Sequence, residues 1–314
     1  MTAEVRLLGA GEIRAIAARL GVQPTKKLGQ NFVVEPGTVR QIAALAGPFS
    51  ADDVILEVGP GLGSLTLALI EATAVEGTAV EGTAVEGTAP AGARVVAVEI
   101  DPVLAAELPA TITGRAPADA SRVEVVTADA LRLAGPDIPP PTVVAANLPY
   151  NVAVPVVLHL LATFPSIGRG IVMVQAEVAD RMCAGPGGRV YGAPSAKLAW
   201  YAAARSAGTV PRGVFWPVPN VDSKLVSFTR HAPPLAGEAL ASREAVFAVI
   251  DAAFGQRRKT LRAALATWAG SPARAEEILR AAGVSPGERG ESLDIAQFAR
   301  IAQAGKRSAA TSMG

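Results

Sequence analysis

The chain has 314 residues, half of them apolar and 18% charged, so it can bury a sizeable core and is not disordered as a whole. One cysteine, Cys183, and two histidines, His159 and His231, exclude an internal disulfide, a thiolate zinc site and a histidine metal cluster, and no metal is expected. The net charge of +1 is unevenly spread: residues 1–229 hold 17 Lys+Arg against 20 Asp+Glu, residues 230–314 hold 12 against 8, and the tail third suits a polyanionic partner.

The start of the chain mixes Glu4, Arg6, Glu12, Arg14 and Arg19 with apolar residues and has no continuous hydrophobic signal core. The longest apolar stretch, 152–164, contains Pro155 and His159 and is shorter than the ~20 residues of a membrane span. A soluble cytoplasmic protein without membrane contact is expected.

Residues 53–58, 94–98, 123–126, 142–146 and 170–174 read as short apolar strands. Residues 64–71, 102–108, 155–164 and 177–183 read as helices between or after them. The alternation predicts a parallel sheet covered on both faces. Residues 197–205 and 223–230 read as two more strands, an antiparallel pair at one edge, which makes seven. A five-residue unit, Thr-Ala-Val-Glu-Gly, recurs from Thr73, Thr78 and Thr83 and decays at Thr88-Ala89-Pro90. It is too short for a solenoid and reads as a surface-loop insertion, at the sheet edge opposite the ligands, whose deletion spares the chemistry. After Pro233-Pro234, residues 242–254, 259–268, 273–282 and 294–302 read as helices. The expected organisation is an extension over 1–25, a catalytic α/β domain over 26–232 with the insertion at 73–90, a helical domain over 233–305, and a disordered tail over 306–314.

In open parallel sheets, ligands bind beyond the carboxyl ends of the strands. Glu57, Gly59, Gly61, Gly63, Glu99, Asp129 and Asn147 all fall there. The first turn, Glu57-Val58-Gly59-Pro60-Gly61-Leu62-Gly63, admits two cofactors. A dinucleotide wants Gly-x-Gly-x-x-Gly, and here the third glycine comes one position early. A glycine turn framed by Glu57 suits a cation better, and S-adenosylmethionine carries a sulfonium and an ammonium without phosphate. Glu99 is placed to accept from both ribose hydroxyls. Its distance of 40 residues from Gly59, against the usual ~20, falls to 23 once 73–89 are removed. Asp129 is placed to accept from an adenine amino group. Ordinary solvated loop carboxylates are the alternative for any one of these acids.

Asn147-Leu148-Pro149-Tyr150 closes the fourth strand. An exocyclic amine conjugated with its base is a poor nucleophile, and two acceptors aimed at its N–H bonds hold it and favour a pyramidal nitrogen. The Asn147 side-chain oxygen and the Leu148 carbonyl suit that task, Pro149 biasing Leu148 to an extended conformation. Tyr150 offers a face on which an extruded base stacks. Phe215 either faces the base opposite Tyr150 or packs in the core. Arg257, Arg258, Lys259 and Arg262 form the densest basic cluster, which reads as phosphate contact or as a solvated helix face, and Lys26 and Lys27 extend the same footprint. His159 reads as a packed core residue and Cys183 as structural.

Five motifs occur in order: Lys27-Leu28-Gly29-Gln30-Asn31-Phe32, the glycine turn, Asn147-Leu148-Pro149-Tyr150-Asn151, Phe215-Trp216-Pro217-Val218-Pro219, and Phe254-Gly255-Gln256-Arg257-Arg258-Lys259-Thr260-Leu261. On these motifs the chain resembles the rRNA adenine dimethyltransferases, most closely their bacterial small-subunit branch. The resemblance implies a Rossmann-like S-adenosylmethionine-dependent methyltransferase sheet, mostly parallel, with a small helical domain that docks on rRNA. It implies dimethylation of N6 of two adjacent adenosines in the 3′-terminal hairpin loop of 16S rRNA, with the small ribosomal subunit as partner; a monomer is expected. It assigns Asn31 and Val33, with Gly59, Glu99, Asp129 and Asn147, to the cofactor, Asn31 lying in a segment that folds over it. It assigns Asn147, Leu148, Tyr150 and Phe215 to the target adenine. A resistance-type methyltransferase of large-subunit rRNA shares the cofactor motifs without the 254–261 signature, and a non-catalytic assembly factor would keep the fold and the RNA surface. The repeat has no counterpart in the family pattern, and the stretch before Lys26 has no assignment.

Overall fold

A computed structural model describes residues 5–22, 31–73, 92–149, 152–232 and 241–311. Lys26, Lys27, Tyr150 and the repeat beyond Thr73 lie outside the described residues. The chain divides into two compact units, Met1–Ala179 with Arg205–Thr229, and Asp180–Ala204 with Arg230–Gly314.

The first unit begins with α1 (Ala10–Arg19), then β1 (Phe32–Val33) and α2 (Pro36–Ala46). Its sheet is laid down by β2 (Val54–Val58), α3 (Ser64–Ala72), β3 (Arg94–Glu99), α4 (Pro102–Arg115), β4 (Val123–Thr127), β5 (Val143–Asn147), α5 (Ala153–Thr163) and β6 (Arg169–Gln175). The next elements are α6 (Ala176–Cys183), α7 (Ala193–Leu198), β7 (Ala202–Val210), β8 (Phe215–Trp216) and β9 (Ser223–Arg230). The seven-stranded order is β4-β3-β2-β5-β6-β9-β7. Strands β4 to β6 run parallel and β9 antiparallel to β6. The order reverses between β2 and β5, so the crevice where an open sheet binds its ligand lies beyond Val58 and Asn147.

The local sequence explains the helix starts. Glu35 caps α2 by accepting from the Gly37 and Thr38 amides, and Asp101 caps α4 by accepting from Val103, each followed by proline at the first helical position. Helix α4 runs past Pro109 to Arg115, further than 102–108, because Leu104, Leu108, Thr111 and Ile112 keep one buried face through the proline. Helix α3 is buried on all sides from Ser64 to Ile70, as befits a helix packed within a covered sheet. Residues 5–22, without assignment from sequence, pack Leu8, Ile13 and Ala17 against Leu104, Leu108 and Ile112. Arg115 there holds the Leu7 carbonyl and Glu12, and Arg19 pairs with Glu107.

Two expectations about the sheet change. Residues 197–205 do not form one strand: α7 occupies 193–198, started by Pro194 at its first turn, and the strand begins only at Ala202. The deletable insertion does not begin at Thr73. Thr73 is buried, and its hydroxyl accepts from Arg122 Nη1 at 2.9 Å, while the same guanidinium donates to the Ala93 carbonyl and to Asp119. A single buried arginine thus ties the end of α3 to the start of β3, and any shortening of the repeat has to keep Thr73.

The second unit adds α8 (Arg243–Gly255), α9 (Leu261–Ala264), α10 (Ala266–Ala269), α11 (Pro272–Ala281) and α12 (Ile295–Thr311). The segment 259–268 forms two short helices rather than one: the first begins after the extended Thr260, and the break between them falls at Leu265. The unit also takes residues 180–204, expected in the sheet domain, because Tyr191 and Ala196 bury in the core of Val246, Ile250, Leu279 and Phe298. The Tyr191 hydroxyl donates to the Leu293 carbonyl at 2.8 Å. The expected disordered tail is corrected in part: α12 continues to Thr311, with Gly305 set closely against the Trp268 ring. Among the described residues no helix is long and apolar enough to cross a membrane.

Candidate active site

The strand ends of the first unit enclose a cleft of about 260 Å³. Three turns that leave the sheet are pinned to the neighbouring strand. The Gly59 amide donates to the Val98 carbonyl, Ala128 to Glu99 and Leu148 to Met173, at 2.9–3.0 Å. The floor is therefore set by strand register rather than by loop packing. Gly61, at φ +58, has the Phe32 ring 3.0 Å from where a Cβ would lie, so the ring rests directly on the turn. Gly63, at φ +95, opens α3, and a Cβ there would meet Leu108 at 2.8 Å. Gly63 thus belongs to the turn and its packing and does not line the cleft, a correction to its expected place among the cofactor residues.

The lining brings together Asn31, Val33, Glu57, Gly59, Gly61, Glu99, Asp129, Asn147, Leu148 and Pro149. Three of these are acids, and the described lining has no Lys, Arg or His. Glu57 is 1% exposed, and its Oε2 has no hydrogen-bond partner, nor has the buried Thr66 hydroxyl. Burial pushes the Glu57 carboxyl up to about 8; Thr66 beside it pulls the other way, and the Glu99 charge adds to the rise. Glu99 is 5% exposed, and its two oxygens accept from the Gly61 and Asp101 amides, both at 3.0 Å. Burial raises its pKa, the Asp101 and Gly61 amides lower it, and the Asp101 charge raises it. Asp129 is half-buried, its Oδ1 accepting from the Leu131 amide at 2.9 Å. The residues fit a cationic cofactor, because three acids line a cleft whose described lining offers no cation of its own.

Asn147 Nδ2 donates to the Asn31 carbonyl at 3.1 Å, which leaves the amide oxygen as the acceptor. Asn31 leads directly into β1, so the same bond ties β1 to the end of β5. Strand β1 is also held by β8, with Phe32 opposite Trp216 and Val33 opposite Phe215. This register overturns the expectation for Phe215. It is 2% exposed and packs with Val33, Ile42 and Leu225 in the core, outside the cleft lining. Successive residues of a strand face opposite sides, so Trp216 is the aromatic on the other side, stacked on Phe32 at 6.2 Å and 24°.

The basic cluster of the second unit separates into two pairs. Arg257 donates to Glu291 at 2.9 Å and to the Arg189 carbonyl at 2.6 Å, and Arg262 pairs with Glu276 at 2.9 Å. Their charges are paired within the unit, unlike those of the two cationic residues between them. Arg258 and Lys259 are exposed and have no partner among the described residues.

The chain matches the ribosomal RNA adenine dimethylase family over residues 87–306. It is 61% identical over 296 residues to a Kineococcus radiotolerans protein named ribosomal RNA small subunit methyltransferase A, covering 94% of this chain and 91% of that one. A protein of the same name from Thermobifida fusca is 59% identical, covering 96% and 97%. Among solved structures, the 23S rRNA methyltransferase ErmE aligns with a TM-score of 0.58 at 26% identity, over 88% of this chain and all of that one. A dimethyladenosine transferase from Plasmodium falciparum shares the fold, with a TM-score of 0.66 at 21% identity over 85% and 94%. The sheet order, the glycine turn and the acidic strand ends define a Rossmann-like methyltransferase. The chain belongs to the ribosomal RNA adenine dimethylase family.

Proposed function

We propose that this chain uses S-adenosylmethionine to dimethylate N6 of two adjacent adenosines in the 3′-terminal hairpin loop of 16S rRNA, in the cytoplasm, during small-subunit assembly. The names of the relatives at 59–61% identity support the small subunit as target over the large one. The observation that carries the chemistry is the Asn147 amide, fixed by its Nδ2 on Asn31 in the same cleft as the buried Glu57.

When bound, S-adenosylmethionine supplies a methyl group on a positively charged sulfur, a good leaving group. Glu57, Glu99 and Asp129 hold the cofactor. The Asn147 oxygen and the Leu148 carbonyl accept hydrogen bonds from the two N–H groups of the target amine in the first transfer and from the one that remains in the second, and so orient its lone pair; each methylated nitrogen is acidic and gives up its proton to water as the neutral thioether leaves. Positioning of this kind carries most of the rate when the leaving group is good, and no strong base is needed. Tyr150 stacks on the extruded base. In the second unit, Arg258 and Lys259 contact phosphate, while Arg257 and Arg262 shape the surface that presents them.

The test is transfer of label from S-adenosylmethionine to small subunits isolated from cells lacking this protein. Label on two adjacent adenosines near the 3′ end of 16S rRNA is expected; label confined to large-subunit rRNA, or none, refutes the reading. Replacing Arg258 and Lys259 together by Ala weakens small-subunit binding and lowers the salt slope of log K by about 2, one for each phosphate no longer neutralised. A filter-binding series over ionic strength measures it, and an unchanged slope removes both residues from the interface.

A further inference from the structure

His159 lies on the face of α5 that already serves the cleft. Val152 and Val156 line the cleft, and His159 follows at the i+7 position from Val152, on the same side of the helix. Its Nε2 lies 2.9 Å from the Leu133 carbonyl, with the Thr163 hydroxyl 3.5 Å from the same nitrogen. A carbonyl only accepts, so Nε2 carries the proton. Leu133 closes the turn whose earlier residues, 128–131, form one wall of the cleft. That turn is pinned at its start by the Ala128 amide on the Glu99 carbonyl. Within it, Arg132 N–H donates to the Asp129 carbonyl and Leu131 N–H to the Asp129 side chain. These two bonds are internal and do not fix the turn to the sheet. The imidazole supplies the anchor at the far end.

We propose that His159 is a positioning residue for the cofactor, setting the distance between the α5 wall and the Asp129 wall through its bond to the Leu133 carbonyl. The proposal rests on the reading that this cleft holds S-adenosylmethionine. It replaces the sequence-based view of His159 as plain core packing. Losing the donor leaves the carbonyl of a residue 2% exposed without its partner and frees the turn that carries Asp129.

The experiment measures the Kd and KM for S-adenosylmethionine, and kcat at saturating cofactor, in His159→Leu and His159→Gln. The Leu variant raises Kd and KM about fivefold with kcat within about twofold, since the loss of one part-buried hydrogen bond falls on binding. The Gln variant, which keeps a side-chain donor, returns the affinity to within about threefold of wild type. A Leu variant with wild-type affinity overturns the proposal, as does a Gln variant no better than Leu. Wild-type protein that binds no S-adenosylmethionine instead overturns the reading of the cleft. If the Leu variant does not fold, nitrogen chemical shifts of the wild-type imidazole decide. The Nε2-protonated tautomer, with a signal that moves on addition of S-adenosylmethionine, is expected. An Nδ1-protonated ring, or one indifferent to the cofactor, overturns it.

Discussion

Asn147→Ala lowers kcat for methyl transfer to small subunits by about 100-fold or more, the scale on which a preorganised group at the reacting centre contributes. Cofactor affinity in the same variant falls much less. The only hydrogen bond the Asn147 side chain makes to the described residues is the Nδ2 bond to the Asn31 carbonyl. One neutral bond of that kind is worth about 1 kcal/mol, or roughly fivefold in affinity. The two effects therefore differ by more than tenfold, and the split identifies the amide oxygen as the group that acts on the target amine. Initial rates at saturating cofactor, with cofactor binding measured calorimetrically, separate them. A variant with full turnover ends the assignment. So does one in which turnover and affinity fall together by the same factor, because Asn147 then only holds β1 in place.

The backbone of this site was legible in the sequence for a definite reason. A parallel strand buried on both faces is a nearly continuous apolar run, so its carboxyl end is marked by the first acid, amide or glycine. Glu57, Glu99 and Asn147 are marked in this way, and the sheet brings all three to one edge. What stayed hidden depends on side chains that meet from distant parts of the chain. Phe215 and Trp216 form a strand of two residues, too short for any periodicity to show which ring faces inward. Arg257 and Arg262 looked like free cations because Glu291 and Glu276, which compensate them, lie 34 and 14 residues away. The Ala-rich segment at 193–205 serves a helix and a strand in succession, and only Pro194 marks the helix start. The N-terminal residues gave no signal because their apolar face is complete only within a cluster built with α3 and α4. Burial itself was the largest omission. The sequence places Glu57 at a strand end but does not say that it is cut off from solvent.

That burial makes cofactor affinity depend on pH. In the cofactor-free chain the Glu57 carboxyl, pushed up to about 8, holds its proton at neutral pH. Its folded-state pKa lies above the unfolded value, so its contribution to stability is full below about 4.3 and is lost as pH rises through about 8. A bound cation reverses the preference, because it pairs with the carboxylate. Binding therefore releases a proton, and affinity rises with pH. From about pH 6 to about pH 7.5 the ionised fraction of a group titrating near 8 grows roughly twentyfold, which bounds the gain in affinity. Ending there stops short of the midpoint of an α-amino group at about 7.7–8.0. The other acids of the cleft are Glu99, whose pKa is also raised, and Asp129; Thr66 and Asn147 are neutral. Calorimetry in buffers of different ionisation heat should find close to one proton released per cofactor bound at about pH 7. Glu57→Gln removes both the proton release and most of the pH slope, weakens binding at about pH 7.5, and flattens the fall in melting temperature of the cofactor-free protein from about pH 6 to about pH 8. A Gln variant that keeps the wild-type slope assigns the proton to Glu99. Wild-type binding with no proton exchanged means that Glu57 is already ionised in the free cleft, and the cation then meets a carboxylate in place.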